Sequence, residues 1–237
     1  MTGQIFYFSP HQDDEVTNLG AAICDDLEQG YEVFCVLCTD GGASCARTLL
    51  GNGNVCPWHS GRHDLTLNRQ EFSAARDREF TASCLALGIA PDHIVIPSYR
   101  APDGGCGKDA AKQIILQATA SCPAGQAVIK TILPVDWRRQ NPDHTAVALA
   151  AGELFAERRV AGLQYYYEMI LLPSPENVTL ERITPSPQAR ERLLKAAAEY
   201  ARWEPENGRY AVGRHSVFDE FEDFQREPCA WLVRNKP

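Results

Sequence analysis

The sequence predicts an α/β fold in which a mainly parallel sheet carries helices on both faces. Along most of the chain, apolar residues alternate between the period of strands and the period of helices. The run Ile5-Phe6-Tyr7-Phe8 reads as a buried first strand. With 237 residues and 44% hydrophobic content, the chain can bury a full core.

Each element follows in order. Ile5 to Ser9 is the first strand, and Leu19, Ala22, Ile23 and Leu27 then recur at helical spacing until Gly30 stops the helix. Glu32 to Cys38 is a second strand, ended by the turn signal Thr39-Asp40-Gly41-Gly42. An irregular stretch, 43 to 66, leads into a long helix from Asn68 to Leu87 closed by Gly88. His93 to Ile96 is a short strand, Lys108 to Ala120 a helix, and Val128 to Leu133 a further strand. The alanine-rich helix 143 to 158 and the aromatic strand Leu163 to Leu171 complete a βαβ series, whose crossovers require parallel strands. Beyond Pro173 the pattern weakens into a proline-punctuated stretch, 173 to 187, a helix from Gln188 to about Trp203, and a tail holding His215-Ser216. No repeat, linker or low-complexity segment divides the chain. One domain over 1–237 is expected, with a core over 4–170 and a C-terminal elaboration over 171–237.

Charge narrows the partners. A net charge of −8 and a pI near 5.3 give no basic footprint for nucleic acid or an anionic membrane, so a small neutral or cationic molecule is the natural ligand. The N-terminus enters a strand at once, and no run reaches the length of a membrane span. A cytoplasmic location is expected, with homo-oligomerisation left open. Nine cysteines, an odd number without an export signal, argue against a disulfide framework. Cys24, Cys35, Cys38 and Cys84 fall on apolar faces and read as core. Cys45, Cys56, His59 and His63 lie in the irregular stretch. There Cys56-x-x-His59-x-x-x-His63 offers zinc-ligand types but lacks the paired Cys-x-x-Cys knuckle. Free thiols or one local disulfide are the alternative.

Two clusters carry the chemistry. His11-Gln12-Asp13-Asp14-Glu15 sits at the exit of the first strand, where ligands of open α/β sheets bind. So many carboxylates together need a cation or a proton, although a solvated acidic turn capping the next helix is the blander reading. Asn141-Pro142-Asp143-His144 also lies between a strand end and a helix start, on the same edge of the sheet. Two imidazoles and a carboxylate with an open fourth position describe a catalytic zinc site rather than a closed structural one.

The ordered set Pro10-His11-Gln12-Asp13-Asp14-Glu15, Thr39-Asp40-Gly41, Arg76-x-x-Glu79, Asp103-Gly104 and Asn141-Pro142-Asp143-His144 resembles the LmbE/PIG-L superfamily of zinc-dependent N-deacetylases. The resemblance covers roughly residues 4 to 170, and His215-Ser216 matches a weaker C-terminal element. It implies a Rossmann-like fold, one zinc held by His11, Asp14 and His144, and Asp13 as general base. It also implies hydrolysis of the linear amide bond of an N-acetylglucosamine-type sugar, with Arg76 and Asp103 at sugar-contacting positions. The residues suit that role: zinc lowers the pKa of a water and polarises the carbonyl, Asp13 takes a proton, and Asp143 orients a ligand histidine. Arg76 and Asp103 also have bland readings, as a helix-surface charge and a turn residue.

Two departures stand out. Gln12 replaces a usual proline, a change of loop stiffness. Asn141 stands where relatives carry a histidine credited with the acid role; an asparagine can donate a hydrogen bond to an oxyanion but cannot deliver a proton. The acid is then either Asp13, returning its proton, or His215. An amidase of a larger acyl or thiol conjugate, its pocket shaped by the 43–66 insertion, and a non-catalytic metal-dependent sugar-binding protein are the rival readings.

Overall fold

The computed structural model describes residues 3–51, 53–56, 58–123, 125–133, 141–171 and 178–234. In chain order the elements are β1 (Gln4–Ser9), α1 (Asp14–Thr17), α2 (Gly20–Glu28), β2 (Glu32–Leu37), α3 (Ala46–Leu50), α4 (Arg69–Leu87), β3 (Ile94–Val95), α5 (Lys108–Ala118), β4 (Val128–Ile132), α6 (Pro142–Ala156) and β5 (Gly162–Tyr167). There follow β6 (Thr179–Ile183), α7 (Pro187–Glu199), β7 (Trp203–Glu204), β8 (Arg209–Tyr210), α8 (Val212–Ser216), α9 (Phe218–Arg226) and β9 (Ala230–Arg234). The main sheet runs β3-β2-β1-β4-β5-β9-β6. Its first five strands are parallel, and β9 pairs antiparallel with both β5 and β6.

Strand alternation builds the two covered faces. Ile5 and Tyr7 of β1 join Val33 and Cys35 of β2 beneath α2, α4, α7 and α9, through residues such as Ile23, Phe80, Leu193 and Phe221. Phe6, Phe8 and Val36 point the other way, against Ile114 and Ile115 of α5 and Val147, Ala151 and Leu154 of α6. Helices cover both faces, as the continuous apolar run of the first strand requires. Helix α4 starts with a capping box, Asn68 accepting from the Glu71 amide and Glu71 from the Asn68 amide, and ends at Gly88 in the left-handed region with φ of 99°. Cys24, Cys35, Cys38 and Cys84 are all buried and unpaired.

Several expectations are corrected. The aromatic strand ends at Tyr167, and Met169–Leu171 is a 3₁₀ turn. The late helix stops at Glu199 rather than near Trp203. The proline-punctuated stretch contains strand β6, although residues 173–177 lie outside the described ones. The tail contributes α8, α9 and β9, and β9 is inserted between β5 and β6. No helix among the described residues is long and apolar enough to cross a membrane.

Candidate metal centre and active site

The carboxyl ends of the parallel strands open on one edge of the sheet, where loops from several of them line a single polar cavity. After β1, the Ser9 hydroxyl donates to the His11 carbonyl at 2.7 Å and the Thr39 hydroxyl to the Pro10 carbonyl at 2.8 Å, fixing the turn. The His11 amide donates to Asp14 Oδ2 at 2.9 Å, and Asn18 Nδ2 donates to the other Asp14 oxygen at 3.0 Å. Between them Asp13 takes a φ of 108°, a left-handed conformation that costs a non-glycine residue on the order of 1–3 kcal/mol. Contacts to both ends of the residue offset that cost. Its amide donates to Glu15 Oε2 at 3.0 Å and its carboxylate accepts from Arg76 Nη2 at 2.9 Å. Gln12 is buried and donates to Asp77 Oδ1 at 2.9 Å, tying the loop to α4. Gly41 (φ 64°) lies so close to the Gln12 amide that a Cβ would come within 2.2 Å of it.

Helix α6 brings the second cluster to the same cavity. Asn141 caps it by accepting from the Asp143 amide at 2.9 Å, and Pro142 follows at the first helical position. His144 in that first turn places Nε2 2.9 Å from His11 Nδ1 and 3.1 Å from Asp14 Oδ2, while His11 Nδ1 is 3.5 Å from Asp14 Oδ2. A tetrahedral zinc with bonds of about 2.0–2.1 Å has ligand-to-ligand edges of about 3.3 Å, so this triangle has the size of one face of such a site. The far nitrogens are committed elsewhere. His11 Nε2 lies 3.1 Å from Asp143 Oδ2 and 3.4 Å from Asp103 Oδ1, and His144 Nδ1 lies 2.7 Å from Glu168 Oε1. Asp143 holds the His11 ring proton on Nε2, and the Glu168 carboxylate pairs in charge with His144 Nδ1, so the inner nitrogens face one point. Asp143 is itself fixed, accepting from the Gly104 amide at 2.7 Å and the Cys106 amide at 2.9 Å. The residues fit a zinc ion.

In the polypeptide alone, protons supply part of the missing positive charge. Burial would lower His144, but the Asp14 and Glu168 carboxylates hold it up at about 10. Burial opposes protonation of His11 as well, yet Asp103, Asp14 and Asp143 raise it well above the usual histidine range. Burial would raise Asp14, but the His144 and His11 rings hold it far below the usual carboxylate range. Asp13 goes the other way: burial pushes it up to about 7 despite the Arg76 guanidinium.

The cavity encloses ≈ 220 Å³ and is lined by His11, Asp13, Asp14, Arg76, Asp103, Asn141, His144 and Glu168 from the sheet edge. Ser44 and Cys45 from the 43–66 segment and Ser216, Val217 and Glu220 from the C-terminal region close it. The structure thus brings together seven of the residues singled out from sequence around the eighth, Asp143, which is buried directly behind His11. His215 is the exception and is not among the residues that line the cavity. Its Nδ1 donates to the Ala211 carbonyl at 2.7 Å and its Nε2 faces His59 at 3.5 Å, in a separate cluster. Arg76 lines the cavity rather than lying on the helix surface. It is buried and spends its guanidinium on Asp13, on the Gln12 carbonyl at 2.6 Å and on the Gly41 carbonyl at 3.2 Å. Asp103 accepts from the Ala43 amide at 2.9 Å; burial would raise it, but His11 and Arg76 hold it near 2.

Sequence reasoning missed Glu168 and Glu220. Glu168 directly follows β5, the strand-end position that marked His11, so the signal was present. Glu220 carried none, because α9 reaches the cavity only through tertiary packing; burial, with Asp13, Asp14 and Glu168 nearby, pushes it up to about 8.

Comparison with known proteins agrees with this architecture. The A40926 pseudoaglycone deacetylase superposes with a TM-score of 0.64 at 18% identity, over 100% of this chain and 99% of its own. The N,N'-diacetylchitobiose deacetylase of Pyrococcus horikoshii gives 0.62 at 17% identity, over 94% and 76% of the respective chains. A 4-carboxy-2-hydroxymuconate hydratase from Pseudomonas putida shares the fold equally well, at 0.64 and 16% identity over 100% and 97%. No curated protein matches the sequence. Residues 6–155, well over half of the chain, match the PIG-L family, described as GlcNAc-PI de-N-acetylase, and the chain belongs to that family.

Proposed function

We propose that the protein is a zinc-dependent hydrolase that removes the N-acetyl group from an N-acetylglucosamine-type sugar or conjugate. The observation that carries this reading is the triangle of His11 Nδ1, Asp14 Oδ2 and His144 Nε2, with edges of 2.9, 3.1 and 3.5 Å, beside the Asp13 carboxylate, which is not part of the triangle. His11, Asp14 and His144 would hold the metal, which when bound supplies Lewis acidity toward water and the amide carbonyl. Asp13 takes a proton from the attacking water through its carboxylate. Arg76 fixes the orientation of that carboxylate from 2.9 Å and so acts as a positioning residue more than as a sugar contact. Asp143 and Glu168 keep the two ligand rings in the required tautomers. Asp103 and Asn141 face the same cavity and are assigned to substrate hydroxyls and the acetamide oxygen. Asn141 is already a helix cap and His215 faces elsewhere, so Asp13 also returns the proton to the departing amine.

A larger conjugate is the second reading, and the lining residues Ser44 and Cys45 from the 43–66 segment favour it. Acetate release decides. Chelator-stripped protein should release no acetate from N-acetylglucosamine conjugates, and one added equivalent of zinc at this centre should restore release. Zinc-loaded protein that releases another acyl group but no acetate would replace the first reading with the second. Full activity after stripping would sink both.

A further inference from the structure

The sequence motif left over by this function is Cys56-x-x-His59-x-x-x-His63, and the structure adds a fourth group to it. His59 Nε2 lies 2.9 Å from His63 Nε2 and 3.5 Å from His215 Nε2. The three ring planes stand at 88° to 89° to one another, with centroids 4.9 to 5.6 Å apart, so the three rings converge on one point. Cys56 is fully buried and unpaired, and its sulfur and one ring nitrogen of each histidine lie within 4.8 Å of one another. We propose that Cys56, His59, His63 and His215 form a second zinc site, closed by four protein ligands, that clamps the 43–66 segment onto α8 at the rim of the active-site cavity.

The local backbone is built for this. Val55 and Arg62 bridge in antiparallel fashion, and the Cys56 amide donates to the Gly61 carbonyl at 2.7 Å, so the chain folds back between the cysteine and His63. That hairpin puts Cys56 at its base, His59 at its tip and His63 at its exit, and α8 supplies His215 from the opposite side. His215 is pre-set as a ligand: its Nδ1–H donates to the Ala211 carbonyl at 2.7 Å, which leaves the Nε2 lone pair free. Trp58 packs edge-on against the His215 ring with centroids 4.5 Å apart, and Trp203 lies 4.6 Å from His63, giving the cluster an apolar shell. His59 is exposed, which leaves an entry path.

Protons balance simply. The Gly61 amide donates to His59 Nδ1 at 3.1 Å, so in the polypeptide alone the His59 proton sits on Nε2, between two other lone pairs. Zinc takes that place. The His59 proton moves to Nδ1, the Gly61 contact breaks, and the Cys56 thiol releases its proton to solvent. The consequence reaches the active site because Ser44 Oγ and Ser216 Oγ, both lining the cavity, already meet at 2.7 Å. A closed four-ligand site adjacent to that contact fixes the wall they form.

Cobalt(II) titration of the chelator-stripped chain tests the proposal, because only a cysteine-containing site yields a thiolate-to-cobalt charge-transfer band. Two equivalents should bind, and the band should persist in His11→Ala but vanish in Cys56→Ser. In a His11→Ala background, zinc should raise the melting temperature by roughly 5–10 °C, and the added Cys56→Ser change should abolish that rise. The exposed His59→Ala variant guards against misfolding of Cys56→Ser, and it should weaken cobalt binding at this site at least ~10-fold. Absence of the band in the wild-type chain, its survival in Cys56→Ser, or unchanged affinity in His59→Ala would each overturn the site.

Discussion

The two histidine clusters use similar residue types to opposite effect. Around His11 and His144 five carboxylates, from Asp13, Asp14, Asp103, Asp143 and Glu168, supply negative charge, and His144 is held up at about 10. Around His59, His63 and His215 the neighbours are tryptophans and a thiol; burial, with His63 and His59 beside it, pushes His215 down to about 4. The first cluster presents three ligand atoms to a cavity and so leaves room for substrate; the second surrounds its centre with four. On the proposed reading, the open position and the charge behind the ligands, more than the histidines themselves, separate a reactive site from a structural one.

The sharpest way to break this contrast is to remove the proton carrier. Asp13→Asn should lower kcat by ~10²–10⁴-fold while metal content stays at the wild-type value, because it removes a base and no ligand. Wild-type turnover in that variant would strip the first cluster of its catalytic character. Next in size, Asp143→Ala or Glu168→Gln should weaken metal binding at the first centre by ~10–100-fold and leave the second unchanged, as measured by metal titration of each variant. A loss at both centres would mean that the clusters are not independent.

Arg76→Lys sharpens the role of the cavity wall. A lysine keeps the charge but not the fork that bonds Asp13 and the Gln12 carbonyl together, so kcat should fall on the order of tenfold for a minimal acetamide and for an N-acetyl sugar alike. A loss confined to the sugar would restore Arg76 as a direct sugar contact.

The smallest expected effect is a pH slope from the second cluster. His215 titrates near 4 in the fold against an ordinary value of 6.5, so between those values the unfolded chain binds more protons than the folded one. Stability from this group is therefore complete above about 6.5 and is lost as pH falls toward 4. In chelator-treated protein, His215→Phe should reduce the fall in melting temperature over that window by on the order of 2–4 °C. An identical slope in the variant would place the titration elsewhere.

Much of this contrast is legible in the amino-acid sequence. Continuous apolar runs and helical stretches between turn signals locate β1, β2, β4, α4 and α6, because buried parallel strands and capped helices carry their signals locally. His11, Asp14 and His144 are legible too, since the edge where a parallel sheet binds ligands follows from topology alone. The C-terminal region is not. The strand Ala230–Arg234 is short and owes its place to pairing with β5 and β6, and Thr179–Ile183 is an edge strand with two charged residues. Phe218, Phe221 and Phe224 do offer helical spacing for α9. Three members of the second cluster, Cys56, His59 and His63, are legible as ligand types, but the fourth, His215, comes from a helix far along the chain and carries no local signal that joins it to them.

The His11, Asp14 and His144 centre is thus proposed as the open metal site, and the Cys56, His59, His63 and His215 centre as the closed one. Anomalous diffraction at the zinc edge, from crystals of the zinc-loaded chain, tests both in one measurement. Two peaks are predicted: one about 2.0–2.2 Å from His11 Nδ1, Asp14 Oδ2 and His144 Nε2 with a non-protein fourth ligand, the other bonded to Cys56 and three imidazoles. A map with no peak at the first triangle, or with a fourth protein ligand closing it, would refute the open catalytic centre.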